Sequence, residues 1–141
     1  MMNMARASKY KKTFDPNDLR LTAPDCMLSA IRECLNEAAE VGDVLRATYH
    51  SLAKAYKKTI EEIESITGQK CTNIAVVGGG SRDGYLNGLI KEYTGKRVFA
   101  GPVEATAIGN ILSQIMYTDR EMTVEKAREL VKKSFDIKEL E

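Results

Sequence analysis

The sequence is short of the residues that most often announce chemistry. Its single histidine, His50, excludes a histidine pair for a metal, and a place in the middle of a helical pattern marks it as structural or solvated. The three cysteines, Cys26, Cys34 and Cys71, are odd in number and show no Cys-x-x-Cys spacing. Cys26 and Cys34 fall in a helical pattern and Cys71 abuts a strand, so buried free thiols in a reducing cytoplasm are expected, with neither a disulfide framework nor a zinc site. Charge of one sign is lacking too. Lys and Arg total 21 against 20 Asp and Glu, which leaves no field to draw in nucleic acid or an anionic membrane. No apolar run approaches the roughly 20 residues of a membrane helix. Residues 1–12 are basic but have no apolar centre and no small-residue cleavage site, unlike a secretory signal. There is no internal repeat and no low-complexity tract. At 141 residues the simplest reading is one cytoplasmic domain, large enough for a core.

What is present centres on Asn-Ile-Ala-Val-Val-Gly-Gly-Gly-Ser, residues 73–81. Four apolar residues, three of them β-branched, read as a buried strand over 74–77. The glycines Gly78, Gly79 and Gly80 let the backbone turn sharply with no Cβ between it and a ligand. Ser81 stands where a helix N-cap belongs, ahead of the periodic Leu86, Leu89, Ile90 and Tyr93. Strand, glycine turn and helix start together offer backbone N–H groups and a positive helix end to a phosphate. A tight βα turn without a ligand has the same local pattern.

The rest of the chain frames this segment. Residues 1–21 read as irregular, with a turn at Asp15-Pro16-Asn17-Asp18. Thr22 can cap a helix with Pro24 in its first turn, and Met27, Ile31, Cys34, Leu35 and Ala38 line one face until Gly42 breaks it. Asp43 opens the longest helix, with Leu45, Tyr49, Leu52, Tyr56, Ile60 and Ile63 along one side and Gly68 as its stop. Lys57 and Lys58, four residues ahead of Glu61 and Glu62, read as a solvated face. A helix over about 83–94 ends at Gly95, and 96–100 forms a second strand closed by Gly101-Pro102. A helix from Val103 to about Tyr117 follows. Gly109 within it costs about 1 kcal/mol relative to alanine, which implies close packing or a close ligand. Thr123 caps a last helix bearing Ala127, Leu130 and Val131. The strand-helix-strand unit implies parallel neighbours. Two strands make a poor sheet alone, and an apolar strand such as 74–77 wants cover on both faces and partners on both edges. The pattern is that of the second half of a larger α/β domain.

Two common phosphate loops do not fit. The dinucleotide fingerprint started at Gly78 requires glycine where Asp83 stands, and a Walker A loop from Gly79 to Gly84 requires lysine where Tyr85 stands. Residues 74–81 instead resemble the adenosine motif of the actin-like ATPase superfamily. Leu86-Asn87 and the run Gly95-Lys96-Arg97-Val98-Phe99-Ala100-Gly101-Pro102-Val103-Glu104-Ala105-Thr106-Ala107-Ile108-Gly109-Asn110 resemble the C-terminal domain of FGGY carbohydrate kinases, and within them the rhamnulokinases. Phe14 to Asp18, Ala23-Pro24-Asp25, Met27 to Ile31, and Tyr49 with Ser51-Leu52-Ala53 follow the same pattern. The resemblance covers about 13–135.

It implies the second half of a ribonuclease H-like, actin-like ATPase fold, with a parallel strand-helix-strand core flanked by helices. It divides the chain into an irregular 1–21, a partial nucleotide-binding domain at 22–135 and a tail at 136–141. Such kinases move the ATP γ-phosphoryl group to a sugar hydroxyl, with Mg²⁺, positioning and electrostatics carrying the reaction. The resemblance implies ATP or ADP contacts at Gly78, Gly79, Gly80, Ser81 and Asp83, with Glu104 through Gly109 packed against the turn. It implies no catalytic or metal residue in this chain. Asp83 stands where rhamnulokinases commonly carry asparagine; its charge would repel phosphate, and Arg82 can offset that. The family's Asp-x-Gly-Thr/Ser loop is absent, so a sugar substrate such as L-rhamnulose would be met through a missing half. The contrasting expectation is a non-catalytic module that self-associates through an exposed sheet edge.

Overall fold

The computed structural model describes residues 2–140 and divides into two compact units. The first runs to Lys70 and takes in Glu92–Thr94; the second holds Cys71–Lys91 and the stretch from Gly95 onward.

The first unit is helical: α1 (Met2–Ala7), α2 (Met27–Leu35) and the 27-residue α3 (Val41–Thr67). The N-terminal stretch is thus more ordered than its composition implied. Ala5 of α1 is fully buried, and a Cβ on Gly42 would come within 3.3 Å of the Met4 carbonyl. Gly42 therefore does not break a helix; it lies inside α3 where α1 approaches. The Ser8 hydroxyl donates to Asp43 at 2.6 Å, and the Tyr10 hydroxyl and Lys12 both bond the Glu37 carboxylate. Burial and the Glu37 carboxylate push the Tyr10 hydroxyl up to about 12.

Helix α2 starts later and ends sooner than its pattern suggests. Asp18 accepts from the Arg20 amide, forming a 3-10 turn over Leu19–Leu21, and the Thr22 amide closes that turn on Leu19. Thr22 is spent there, so the N-cap falls to Cys26, which makes no side-chain cap bond. Asn36 ends the helix with φ 54°, a left-handed conformation that asparagine tolerates better than most residues. Ala38 lies outside and is exposed; Ala39 is buried instead. The core gathers Ile31, Leu35, Ala39, Val44 and Ala47, with Tyr10, Phe14, Leu21 and Leu28 packed against it. Burial along α3 falls on Val44, Ala47, Ser51 and Ala53, whereas Tyr56, Ile63 and Ile66 are exposed. The apolar stripe thus continues past the end of this core. Gly68 ends α3 with φ 68°. Cys26 is exposed and Cys34 half-buried, so the thiols are free but not all enclosed.

The second unit holds β1 (Asn73–Val76), α4 (Gly84–Thr94, whose last turn counts with the first unit), β2 (Arg97–Ala100), α5 (Ala105–Thr118), α6 (Val124–Ser134) and β3 (Lys138–Glu139). β1 and β2 are parallel, with Ile74 opposite Val98 and Val76 opposite Ala100. The expected two strands become three. β3 joins antiparallel, Phe99 facing Glu139, and Arg97 grips Glu139 with two nitrogens at 2.6 and 2.7 Å. The strand order β1-β2-β3 leaves β1 at an edge. Its burial alternates instead of being continuous, with Ala75 exposed, so cover on both faces is not present among the described residues. Val98, Leu89, Ile90, Ile108 and Ala127 are the buried aliphatics. Thr123 caps α6 as its sequence predicts, accepting from the Lys126 amide.

Candidate functional site

The turn after β1 is a 3-10 turn over Gly78–Arg82. Gly78 has φ 72°, which only glycine adopts without strain. Its amide donates to the Pro102 carbonyl at 3.1 Å, while the Gly101 amide donates to Val76 at 2.9 Å. The two loops that follow the parallel strands are thereby joined by a reciprocal pair of backbone bonds. Gly101 is held in turn: its φ is 111°, and a Cβ there would sit 2.8 Å from the Asp136 carbonyl.

Gly79 and Gly80 are exposed. A Cβ on Gly79 would meet nothing within 4 Å, and one on Gly80 only Val76 at 3.8 Å. The bend is therefore neither plugged by side chains nor roofed over. Packing against the rest of the chain does not demand the missing Cβ atoms at Gly79 and Gly80.

Ser81 is not the helix cap. Its hydroxyl donates back to the Gly78 carbonyl at 2.7 Å and so closes the glycine turn on itself. Asp83 is the cap, accepting from the Tyr85 and Leu86 amides at 3.1 Å each. A carboxylate at a helix start is favoured by both the free amides and the helix dipole. With Asp83 in that place, the first amides of α4 are engaged by this chain's own carboxylate and are not offered to a phosphate. Arg82 beside it is exposed.

Asn87, one turn into α4, is fully buried. Its amide nitrogen donates to the Gly80 and Ser81 carbonyls at 3.2 Å each. An asparagine on the same face as Leu86, Leu89 and Ile90 was the available sequence signal for this contact. Beside the turn run Pro102 and Val103, which lead into α5. Glu104 sits exposed at the start of α5 without a side-chain cap bond. Gly109 is exposed, with nothing within 4 Å of a Cβ, so neither packing nor a close neighbour accounts for it.

Away from the turn, His50 Nδ1 lies 2.8 Å from the Tyr93 hydroxyl. Burial, then the nearby Arg46 charge, pushes the imidazole below its ordinary range. Among the described residues, no group of three or more His, Cys, Asp or Glu side chains converges as a metal site. No described helix is long and apolar enough to cross a membrane.

A strand, a bare glycine bend and a capped helix, with a second parallel strand whose loop props the bend, define an α/β half-domain with an accessible turn. The chain belongs to the FGGY family of carbohydrate kinases: the model of that family's C-terminal domain matches residues 3–117. The rhamnulokinase of Halalkalibacterium halodurans is 37% identical over 143 aligned positions, covering 98% of this chain and 31% of that protein. The rhamnulokinase of Oceanobacillus iheyensis is 37% identical over 139 positions, covering 95% and 30%, and that of Bacillus subtilis 32% identical over 138, covering 94% and 28%. The chain thus spans about 30% of the length of these curated relatives.

Proposed function

We propose that this chain is the nucleotide-binding C-terminal portion of an ATP-dependent sugar kinase of the rhamnulokinase kind, which phosphorylates a ketose such as L-rhamnulose, and that it is inactive alone. The observation that carries the reading is the exposed, side-chain-free backbone at Gly79 and Gly80 inside a turn whose ends are tied down. Gly78, Gly79 and Gly80 admit the phosphate and ribose of ATP or ADP. Ser81 keeps the turn closed. Asp83 holds the start of α4, and because that role turns its carboxylate to the helix amides, its charge is partly answered before a nucleotide arrives. ATP supplies the γ-phosphoryl group. Mg²⁺ fits less well here: with no convergent ligand set among the described residues, its ligands and the base that accepts the sugar proton belong to the remainder of such a kinase.

The test is thermal unfolding of the chain with increasing ADP. A ligand at 100 times its dissociation constant adds about 2.7 kcal/mol, so the melting temperature should climb with ADP concentration. A melting temperature that ignores millimolar ADP removes the nucleotide reading.

A second reading is favoured by the open edge of β1 and the half-exposed Val77: self-association by strand addition. It requires a dimer in light scattering that Val77→Lys dissolves.

A further inference from the structure

The buried Asn87 is poorly explained as core filling. Its Oδ1 is buried with no hydrogen-bond partner among the described residues, so one end of the amide is desolvated without compensation. An aliphatic side chain would suit the Leu86, Leu89, Ile90 face better. What asparagine alone adds is its pair of donated bonds to the Gly80 and Ser81 carbonyls. Those carbonyls close a five-residue turn that contains three glycines. Such a turn has little side-chain packing of its own; the Gly80 carbonyl already accepts the Asp83 amide at 3.1 Å, and the Asn87 bonds add a second hold there and extend it to the Ser81 carbonyl. A peptide unit is planar with its C=O and N–H opposed. Fixing the Gly80 and Ser81 carbonyls therefore also fixes the Ser81 and Arg82 amides, and with them the set of the backbone that leads out of Gly79 and Gly80.

We infer that Asn87 is the positioning residue of the glycine turn, holding its exposed backbone in one orientation from beneath; the ligand side of this inference rests on the nucleotide reading above. The Ser81 hydroxyl on Gly78 and the Gly78 amide on Pro102 fix the front of the turn, and Asn87 fixes its back.

The test is Asn87→Leu in the whole chain, read by amide hydrogen exchange without nucleotide and by ADP titration. Loss of two hydrogen bonds predicts about tenfold faster exchange at 79–82 and about tenfold weaker ADP binding, with the Leu89, Ile90 and Val98 amides unchanged. Unchanged exchange at 79–82 overturns the inference. So does acceleration spread equally over Leu89, Ile90 and Val98, which is the signature of a core residue. Faster turn exchange in a chain whose parent ignores ADP upholds Asn87's hold on the turn and discards the nucleotide reading instead. Should Asn87→Leu fail to fold, Asn87→Ser, which keeps one donor, should show a smaller loosening confined to the turn; none there overturns the inference equally.

Discussion

The first unit gathers a contiguous aliphatic core, although Tyr56, Ile63 and Ile66 of its long helix stay exposed, and the second leaves much of its strand surface open. In the first, Ile31, Leu35, Ala39, Val44 and Ala47 form one contiguous cluster, and long-range polar bonds such as Ser8 to Asp43 and the Phe14 amide to the buried Ser51 hydroxyl at 2.9 Å tie its N-terminal stretch down. In the second, an edge strand alternates between exposed and half-buried positions, and order in the loops comes from individual hydrogen bonds at the glycines. One unit is held chiefly by packing and the other, around its bend, by backbone geometry. Substitutions should therefore act through different mechanisms in the two.

The largest loss is expected where packing dominates. Leu35→Ala, at a position 4% exposed, should cost about 3 kcal/mol in urea unfolding. Gly101→Ala should come next, at about 2 kcal/mol or more, because its φ is strained for alanine and the Asp136 carbonyl obstructs the new methyl. A cost near zero would show that the second unit yields where the first does not. Asp83→Ala should lose about 1 kcal/mol of capping. Gly109→Ala should instead gain up to about 1 kcal/mol, since the site is helical, exposed and unobstructed. A loss at Gly109 would reveal a neighbour outside the described residues.

The smallest effect concerns pH in the first unit. The His50 imidazole titrates below its ordinary 6.5 in the folded chain, so the folded state favours the neutral ring. Its contribution to stability is complete above pH 6.5 and is lost as the pH falls through the lower folded value. Melting temperatures from pH 8 down to pH 5 should fall more for the parent chain than for His50→Gln, and equal slopes would remove the histidine from the account.

Much of this architecture was legible from the residues. Gly68 and Gly95 mark the helix ends they were expected to mark, Thr123 caps α6, and residues 73–76 and 97–100 pair in parallel because their apolar, β-branched runs are divided by one helix-length segment. The misreadings arose where a residue with a capping side chain belongs to a 3-10 turn instead: the Thr22 amide closes the turn before it and the Ser81 hydroxyl bonds Gly78 within its own turn, leaving Cys26 and Asp83 at the helix starts. Gly42 looked like a breaker because periodicity does not show that another helix passes against it. Short β3 was hidden because two residues carry no alternation to read; its place depends on Arg97, forty-two positions away. The candidate bend itself was plain in its glycines, whereas Asn87 was legible as part of the family resemblance and as a polar interruption of an apolar face, but not as the partner of the Gly80 and Ser81 carbonyls.

The crossed amide bonds between Gly78 and Pro102 and between Gly101 and Val76 work like a double stitch between two hems. Neither loop can lift without loosening the other. A guest settling on the first hem would thus tug on the second, and nuclear magnetic resonance signals near Ala105, at the head of α5, should register its arrival though nothing there touches it.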